Sequence, residues 1–277
     1  MAGGMAVERI HRADDPRVAG YRSLRDGEFV RSRGLFVAEG RLVVRRLVQD
    51  GRYDLQSVLV NEAALRDLES TIAACSADVP IFVCDAVALA GIAGYDVHRG
   101  CLALVRRRPD TPPGELIASA TTIVVLEGVS NADNVGGVFR NAAAFGAGGV
   151  LLSPTCCDPL YRKAIRTSMG ATLHVPFARA GADEWPSVLT RVRAAGFTLV
   201  ALTPREPSET LEAFAARPRA LRVALIVGTE GAGLTPAVEE AADYRVRIPI
   251  AADIDSLNVA VAAGIALHAL SADCTLT

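Results

Sequence analysis

The chain has 277 residues, enough for one large domain or two of ordinary size. With 51% hydrophobic and 22% charged residues it can bury a sizeable core, and 5% aromatics argues against a base-stacking platform of Phe, Tyr and Trp. A formal net charge of −2 does not by itself point to nucleic acid. The longest apolar run, residues 257–272, is broken by His268, and the start MAGGMAVERIHRADD lacks an apolar h-region. The expectation is a cytoplasmic protein with no membrane partner.

Cysteines 75, 84, 101, 156, 157 and 274 and the four histidines show neither CxxC nor Cys/His ligand spacing. That pattern predicts buried, reduced thiols and no metal site. Residues 1–52 carry 11 Arg against 7 acids, whereas residues 53–115 carry 5 Arg against 9, so an N-terminal basic arm precedes a neutral body. Such an arm is compatible with phosphate contacts without requiring them.

Taken in chain order, residues 1–20 read as a flexible lead-in. GLFVAEG (34–40) is strand-like and RLVVRRLVQDG follows at helical spacing. LQSVLVN, the helical EAALRDLESTIAAC, PIFVCD, a helix near 86–93 and the strand CLALVRR continue the alternation, which predicts a mainly parallel sheet. RRRPDTPPGEL (106–116) marks a boundary, with residues 109–116 as linker. Beyond it come strands TTIVVLE (121–127), GVLLS (149–153), TLHVPFA (172–178), FTLVALT (197–203), VALIVGT (223–229) and YRVRIPI (244–250), with helices near 135–146, 159–168, 185–195, 236–242 and 258–270. Short, almost uniformly apolar strands suit a sheet buried on both faces, whose ligands bind beyond the carboxyl ends of the strands.

Three loops hold the candidate chemistry. In EGVSNADNVGGVFRNAAAFGAGG (127–149), Asn134 and Arg140 are placed to share a pocket; the other reading is a helix cap and a solvated arginine. LIVGTEGAGLT (225–235) ends an apolar strand in a glycine-rich turn bearing Glu230, without the Lys-Ser/Thr of a P-loop or GxGxxG spacing. In IPIAADIDSLNVAVAAGIALHAL (248–270), a polar loop leads to SLN and a small-residue helix, with Ser256 a candidate N-cap.

In order and spacing, Asn-x₅-Arg-Asn-Ala, GTEGAGL and IPI…SLNVAVAAGIAL resemble the three motifs of the SpoU–TrmH branch of the SPOUT RNA methyltransferases, across about 150 residues. FVAEG (36–40) and HRGCLALV (98–105) resemble, more loosely, the ribosomal-protein-like substrate-binding domain of many members. The resemblance implies an α/β protein with an RNA substrate-binding domain over 21–108 and a catalytic domain over 117–277. The latter would be a SPOUT-type parallel sheet with a C-terminal trefoil knot. The implied cofactor is S-adenosyl-L-methionine, held around Leu202, Thr203, Gly228, Ile248, Ile250 and Leu257. The implied reaction is methylation of a ribose 2′-hydroxyl, with Asn134, Arg140, Glu230, Ser256 and Asn258 at the polar positions. Arg140 is the position assigned to the hydroxyl; because a guanidinium stays protonated, stabilising the alkoxide and clamping a phosphate suit it better than general-base work. A homodimer through the knot region is implied; the small-residue face Val259, Ala262, Ala263 and Ala266 suits close helix packing, in a subunit interface or in a core alike. Arg31, Arg33, Arg41, Arg45 and Arg46, with Arg162, Lys163 and Arg166, are candidate phosphate contacts, the other reading of each cluster being a solvated helix face. The extra N-terminal domain favours rRNA over tRNA as partner. The alternatives are a tRNA 2′-O-methyltransferase of the same family and a non-catalytic RNA-binding or ribosome-assembly protein.

Overall fold

The computed structural model describes residues 7–22, 32–218, 222–251 and 253–271, so Arg31 and Cys274 lie outside the described residues. Its helices are α1 (Arg41–Asp50), α2 (Glu62–Asp67), α3 (Glu69–Ala73), α4 (Ala86–Ala93), α5 (Pro113–Ser119), α6 (Ala132–Ala144), α7 (Arg162–Thr167), α8 (Val188–Ala194), α9 (Leu211–Ala215), α10 (Pro236–Ala241) and α11 (Val259–Leu270). None of the described helices is long and apolar enough to cross a membrane. Contacts divide the chain into one unit of Met1–Pro109 with Leu160–Gly170, and a second of Asp110–Pro159 with Ala171–Thr277.

The first unit is built on strands β1 (Val7–Arg9), β2 (Leu35–Glu39), β3 (Leu55–Asn61), β4 (Ile81–Cys84) and β5 (Cys101–Arg106), in the spatial order β1-β4-β3-β5-β2. The sheet is mixed rather than mainly parallel. β4 runs parallel to β1 and β3, while β5 is antiparallel to both β3 and β2. β2 and β3 run the same way with one strand's width between them, and β5 fills that gap in reverse after α4 ends at left-handed Gly94. Residues 7–20, expected as a lead-in, instead supply edge strand β1 and most of a 3-10 turn, Pro16–Tyr21. Ile10, Val18 and Tyr21 are buried, but their spacing follows neither sequence period, so the segment escapes pattern reading. The Tyr21 hydroxyl shares a 2.7 Å hydrogen bond with Ser57 and accepts one from the Leu104 N–H at 3.2 Å, and burial raises its pKa. The helix expected over 62–75 breaks at Leu68 into α2 and α3.

Leu160–Gly170, which includes α7, packs on β2 of this unit. Arg162 donates to the buried Glu39 at 2.8 Å and stacks over the Tyr95 ring at 3.8 Å, while Arg46 donates to the Met169 carbonyl at 2.7 Å. Arg41 and Arg45 both lie within ion-pair distance of Asp67. Four of the arginines expected as phosphate ligands are therefore engaged within the unit. Glu39→Ala would remove a buried ion-pair partner of Arg162, and urea denaturation is expected to show a loss of about 3 kcal/mol.

The second unit is a seven-stranded, wholly parallel sheet. Its strands are β6 (Thr122–Glu127), β7 (Gly149–Leu152), β8 (Phe177–Arg179), β9 (Thr198–Leu202), β10 (Glu209–Thr210), β11 (Val223–Gly228) and β12 (Tyr244–Arg247), in the order β10-β12-β9-β11-β6-β7-β8. Ile123, Val125, Leu199, Ala201, Ala224 and Ile226 of the central strands belong to one buried core with Leu116, Val188 and Val238 of the helices. The expected strand 172–178 is confined to its end: Ala171–Leu173 forms a 3-10 turn and only β8 pairs. The linker expected over 109–116 already contains the start of α5, because Pro113 at the first helical position needs no N–H partner.

α6 and α11 meet at close range. A Cβ on Gly137 would lie 2.6 Å from that of Ala260, and one on Gly264 would lie 2.8 Å from Asn141, whose side-chain amide donates to the Ala260 carbonyl at 2.6 Å. Val259, Ala263 and Ala266 are buried in this chain's own core, so three of the four small residues are core and not free surface. The outward face of α11 carries Val261 and Ile265, 51% and 41% exposed.

Candidate active site

The carboxyl ends of β9, β11 and β12 open onto one cavity of about 360 Å³. Leu202, Thr203, Gly228, Ile248, Ile250 and Leu257 all line it, as do Glu230 and Ser256. β12 ends at Arg247, not at Ile250 as the apolar run suggested, so Ile248 and Ile250 sit in the loop where their side chains serve the cavity.

The glycine-rich turn after β11 folds back on itself. The Gly233 N–H donates to the Thr229 carbonyl at 3.0 Å, with Gly231 and Gly233 at φ 85° and 70°, where side chains other than glycine are strained. A Cβ on Gly228 would lie 2.4–2.6 Å from the backbone of Gly233 and Leu234, so the turn closes only on glycine.

Two networks missed by sequence reading hold this turn. Buried Glu127, ending β6, accepts from the Thr235 N–H (2.8 Å), the Thr235 hydroxyl (2.9 Å) and the Trp185 indole (3.2 Å). Arg205 donates to the carbonyls of Ala232 (2.6 Å) and Leu234 (2.8 Å), and reaches the buried Glu239 (3.3 Å), which also accepts from the Thr203 hydroxyl at 2.8 Å. The available signal was chemical: a carboxylate closing a buried apolar strand such as TTIVVLE needs donors from elsewhere.

The polar candidates are joined through one side chain. Asn258 is the N-cap of α11, its Oδ1 accepting from the Ala260 and Val261 N–H groups at 3.0 and 3.3 Å. Its Nδ2 donates to Asn134 Oδ1 at 2.9 Å and to Glu230 Oε1 at 2.7 Å. The capping readings shift accordingly: Asn131, not Asn134, caps α6, and Asn258, not Ser256, caps α11. Asn134 is buried on the first turn of α6, and its Nδ2 has no partner among the described residues. Glu230 Oε2 is likewise uncommitted, and Ser256 is an exposed part of the cavity wall.

Arg140 stands apart. It is exposed on α6, makes no hydrogen bond or ion pair with the described residues, and is not among those lining the cavity. Cys84 and Cys101 are buried, and desolvation pushes their thiol pKa values up to about 11 and about 12. Among the described residues no group of His, Cys, Asp and Glu is placed to hold a metal ion.

The model of the SpoU rRNA methylase family matches residues 121–268. The chain is 38% identical over 269 residues to an uncharacterized tRNA/rRNA methyltransferase of Mycobacterium bovis, covering 96% of this chain and 92% of that one. It is 32% identical over 160 residues to a 23S rRNA guanosine 2′-O-methyltransferase of Bacillus subtilis, covering 57% of this chain and 61% of the relative. The AdoMet-bound rRNA methyltransferase from Sinorhizobium meliloti matches with a TM-score of 0.82 at 25% identity, covering 98% of this chain and 99% of that one. A parallel α/β sheet with the three motif loops gathered at its carboxyl edge, together with a family match across most of that unit, places this chain in the SpoU rRNA methylase family of RNA methyltransferases.

Proposed function

We propose that the protein transfers a methyl group from S-adenosylmethionine to a ribose 2′-hydroxyl of ribosomal RNA. The observation that carries this reading is the pairing of a mostly apolar cavity with a linked polar cluster at its rim. The cavity chemistry fits the cofactor. Leu202, Val227, Ile248, Ile250, Leu257 and Val259 supply walls for a flat heterocycle, the glycine-rich turn brings main-chain polar groups close, and Glu230 and Asp255 offset positive charge. S-adenosylmethionine supplies an activated methyl on a sulfonium, so the protein's task is alignment and relief of the hydroxyl proton. Asn134, with a free Nδ2 and its Oδ1 fixed by Asn258, orients the ribose. Glu230, held by the same amide and lining the cavity, keeps one carboxylate oxygen uncommitted. Arg140 acts from outside the cavity, clamping an adjacent phosphate and stabilising the developing alkoxide.

In this reading the first unit is a substrate-binding domain and the chain works in the cytoplasm as a homodimer closed through the C-terminal knot region. The exposed Val261 and Ile265 of α11 are the apolar residues available for that interface. Val261→Glu is expected to convert the dimer to monomer in light scattering after size exclusion, because a carboxylate in a packed interface has no partner.

The reading is tested by incubating the protein with labelled S-adenosylmethionine and, separately, tRNA, naked rRNA and ribosomal subunits from a strain lacking the gene. Nuclease digestion and mass spectrometry then locate the label. A 2′-O-methylated nucleoside in rRNA alone is the expected result; label in tRNA alone overturns the substrate class, and no label on any RNA despite cofactor binding overturns the catalytic reading.

A further inference from the structure

Among the described residues, three charged side chains line the cavity: Glu230, Asp255 and Arg247. Two acids and one base are an unusual complement for walls that are otherwise mostly apolar, and each such charge needs a partner. Arg247 ends β12, where the chain leaves the sheet toward Ile248. Its Nη1 donates to the Ser208 carbonyl, lies 3.3 Å from the Ser208 hydroxyl and 3.2 Å from a Glu206 carboxylate oxygen. Ser208 thus fixes one arm of the guanidinium against the neighbouring segment. Nε and Nη2 donate to no described residue, and the Glu206 side chain is 71% exposed, leaving that ion pair open to water and to exchange.

The proposed cofactor has the inverse charge set. Its amino-acid end carries one carboxylate and one ammonium, and the sulfonium adds a second positive charge. We propose that Arg247 recognises the carboxylate at the amino-acid end of S-adenosylmethionine, with Glu230 and Asp255 offsetting its two positive charges. The assignment rests on the S-adenosylmethionine reading of the cavity and adds what that reading lacks, a residue that distinguishes the whole cofactor from its adenosine thioether portion. An arginine suits the task because its planar fork offers two parallel donors to a carboxylate while the remaining arm stays anchored.

The test is calorimetric and requires no RNA. S-adenosylhomocysteine and 5′-methylthioadenosine share the adenosine and a thioether, and only the first has the amino-acid end. Wild-type protein is expected to bind S-adenosylhomocysteine at least about tenfold more tightly than 5′-methylthioadenosine. Arg247→Met is expected to weaken S-adenosylhomocysteine by about tenfold or more while leaving 5′-methylthioadenosine within about twofold, and Arg247→Lys to recover part of the loss. Retained binding of 5′-methylthioadenosine also shows that the variant cavity is folded. If Arg247→Met weakens both ligands equally, Arg247 only braces the loop through Ser208 and the assignment falls. It falls equally if neither affinity changes. If wild-type protein binds neither ligand, the cofactor reading itself fails.

Discussion

Arg140→Ala is expected to abolish methyl transfer while S-adenosylmethionine affinity stays within about tenfold, roughly 1.4 kcal/mol. The expectation follows from where the residue sits. Arg140 is exposed on α6 and outside the cavity, so truncating it removes no cavity wall and breaks no hydrogen bond among the described residues. Thermal stability should therefore hardly change, since uncommitted surface side chains contribute little. The loss falls on a charge that acts when the hydroxyl oxygen becomes anionic, and such donors are worth orders of magnitude in rate. Arg140→Lys is the informative companion: it keeps the charge and loses the two-pronged geometry, so an intermediate rate is expected. Single-turnover methylation alongside calorimetry separates the two quantities. A variant that loses cofactor binding as strongly as turnover would place Arg140 in the cofactor site, contrary to the proposed role.

Much of the second unit could be read from sequence because its central strands are buried on both faces. TTIVVLE, FTLVALT and VALIVGT are nearly unbroken apolar runs, and the structure pairs them as neighbours around β11. Reading failed where an apolar run serves a cavity instead of a sheet. The last three residues of YRVRIPI lie beyond β12 and two of them line the cavity, a difference invisible to hydropathy. It failed also where charge is compensated over long range. Glu127 meets Thr235 and Arg162 meets Glu39 across 108 and 123 positions, and no local pattern announces either pair. Arg41, Arg45, Arg46 and Arg162 were open to phosphate contact in sequence, which shows charge but not its partners; in the fold each already faces an acid or a carbonyl. The motif residues, in contrast, could be located without knowing the contacts. Asn134, Glu230 and Asn258 come from three separate segments that follow strands, and parallel topology delivers all three to the same edge.

Asn258 carries two duties that substitution can separate. Its Oδ1 caps α11, and its Nδ2 ties Asn134 to Glu230. Asn258→Ala removes both, and the lost cap alone is expected to cost about 1 kcal/mol in chemical denaturation. Asn258→Asp keeps the cap, since aspartate is as good an N-cap as asparagine, but replaces a donor by an acceptor facing Asn134 Oδ1 and a carboxylate. Both variants are expected to lose methyl transfer by about two orders of magnitude or more, with the Asp variant retaining the greater stability. The two carboxyl groups of the Asp variant would then stand at hydrogen-bond distance, which raises the pKa of one of them. Lowering the pH toward about 5 supplies a proton that restores a donor between them, so its activity relative to wild type should rise as pH falls. Asn258→Ala has no group to protonate and should show no such recovery. An Asp variant that is fully active at neutral pH would reduce Asn258 to a helix cap and leave Asn134 and Glu230 to act independently.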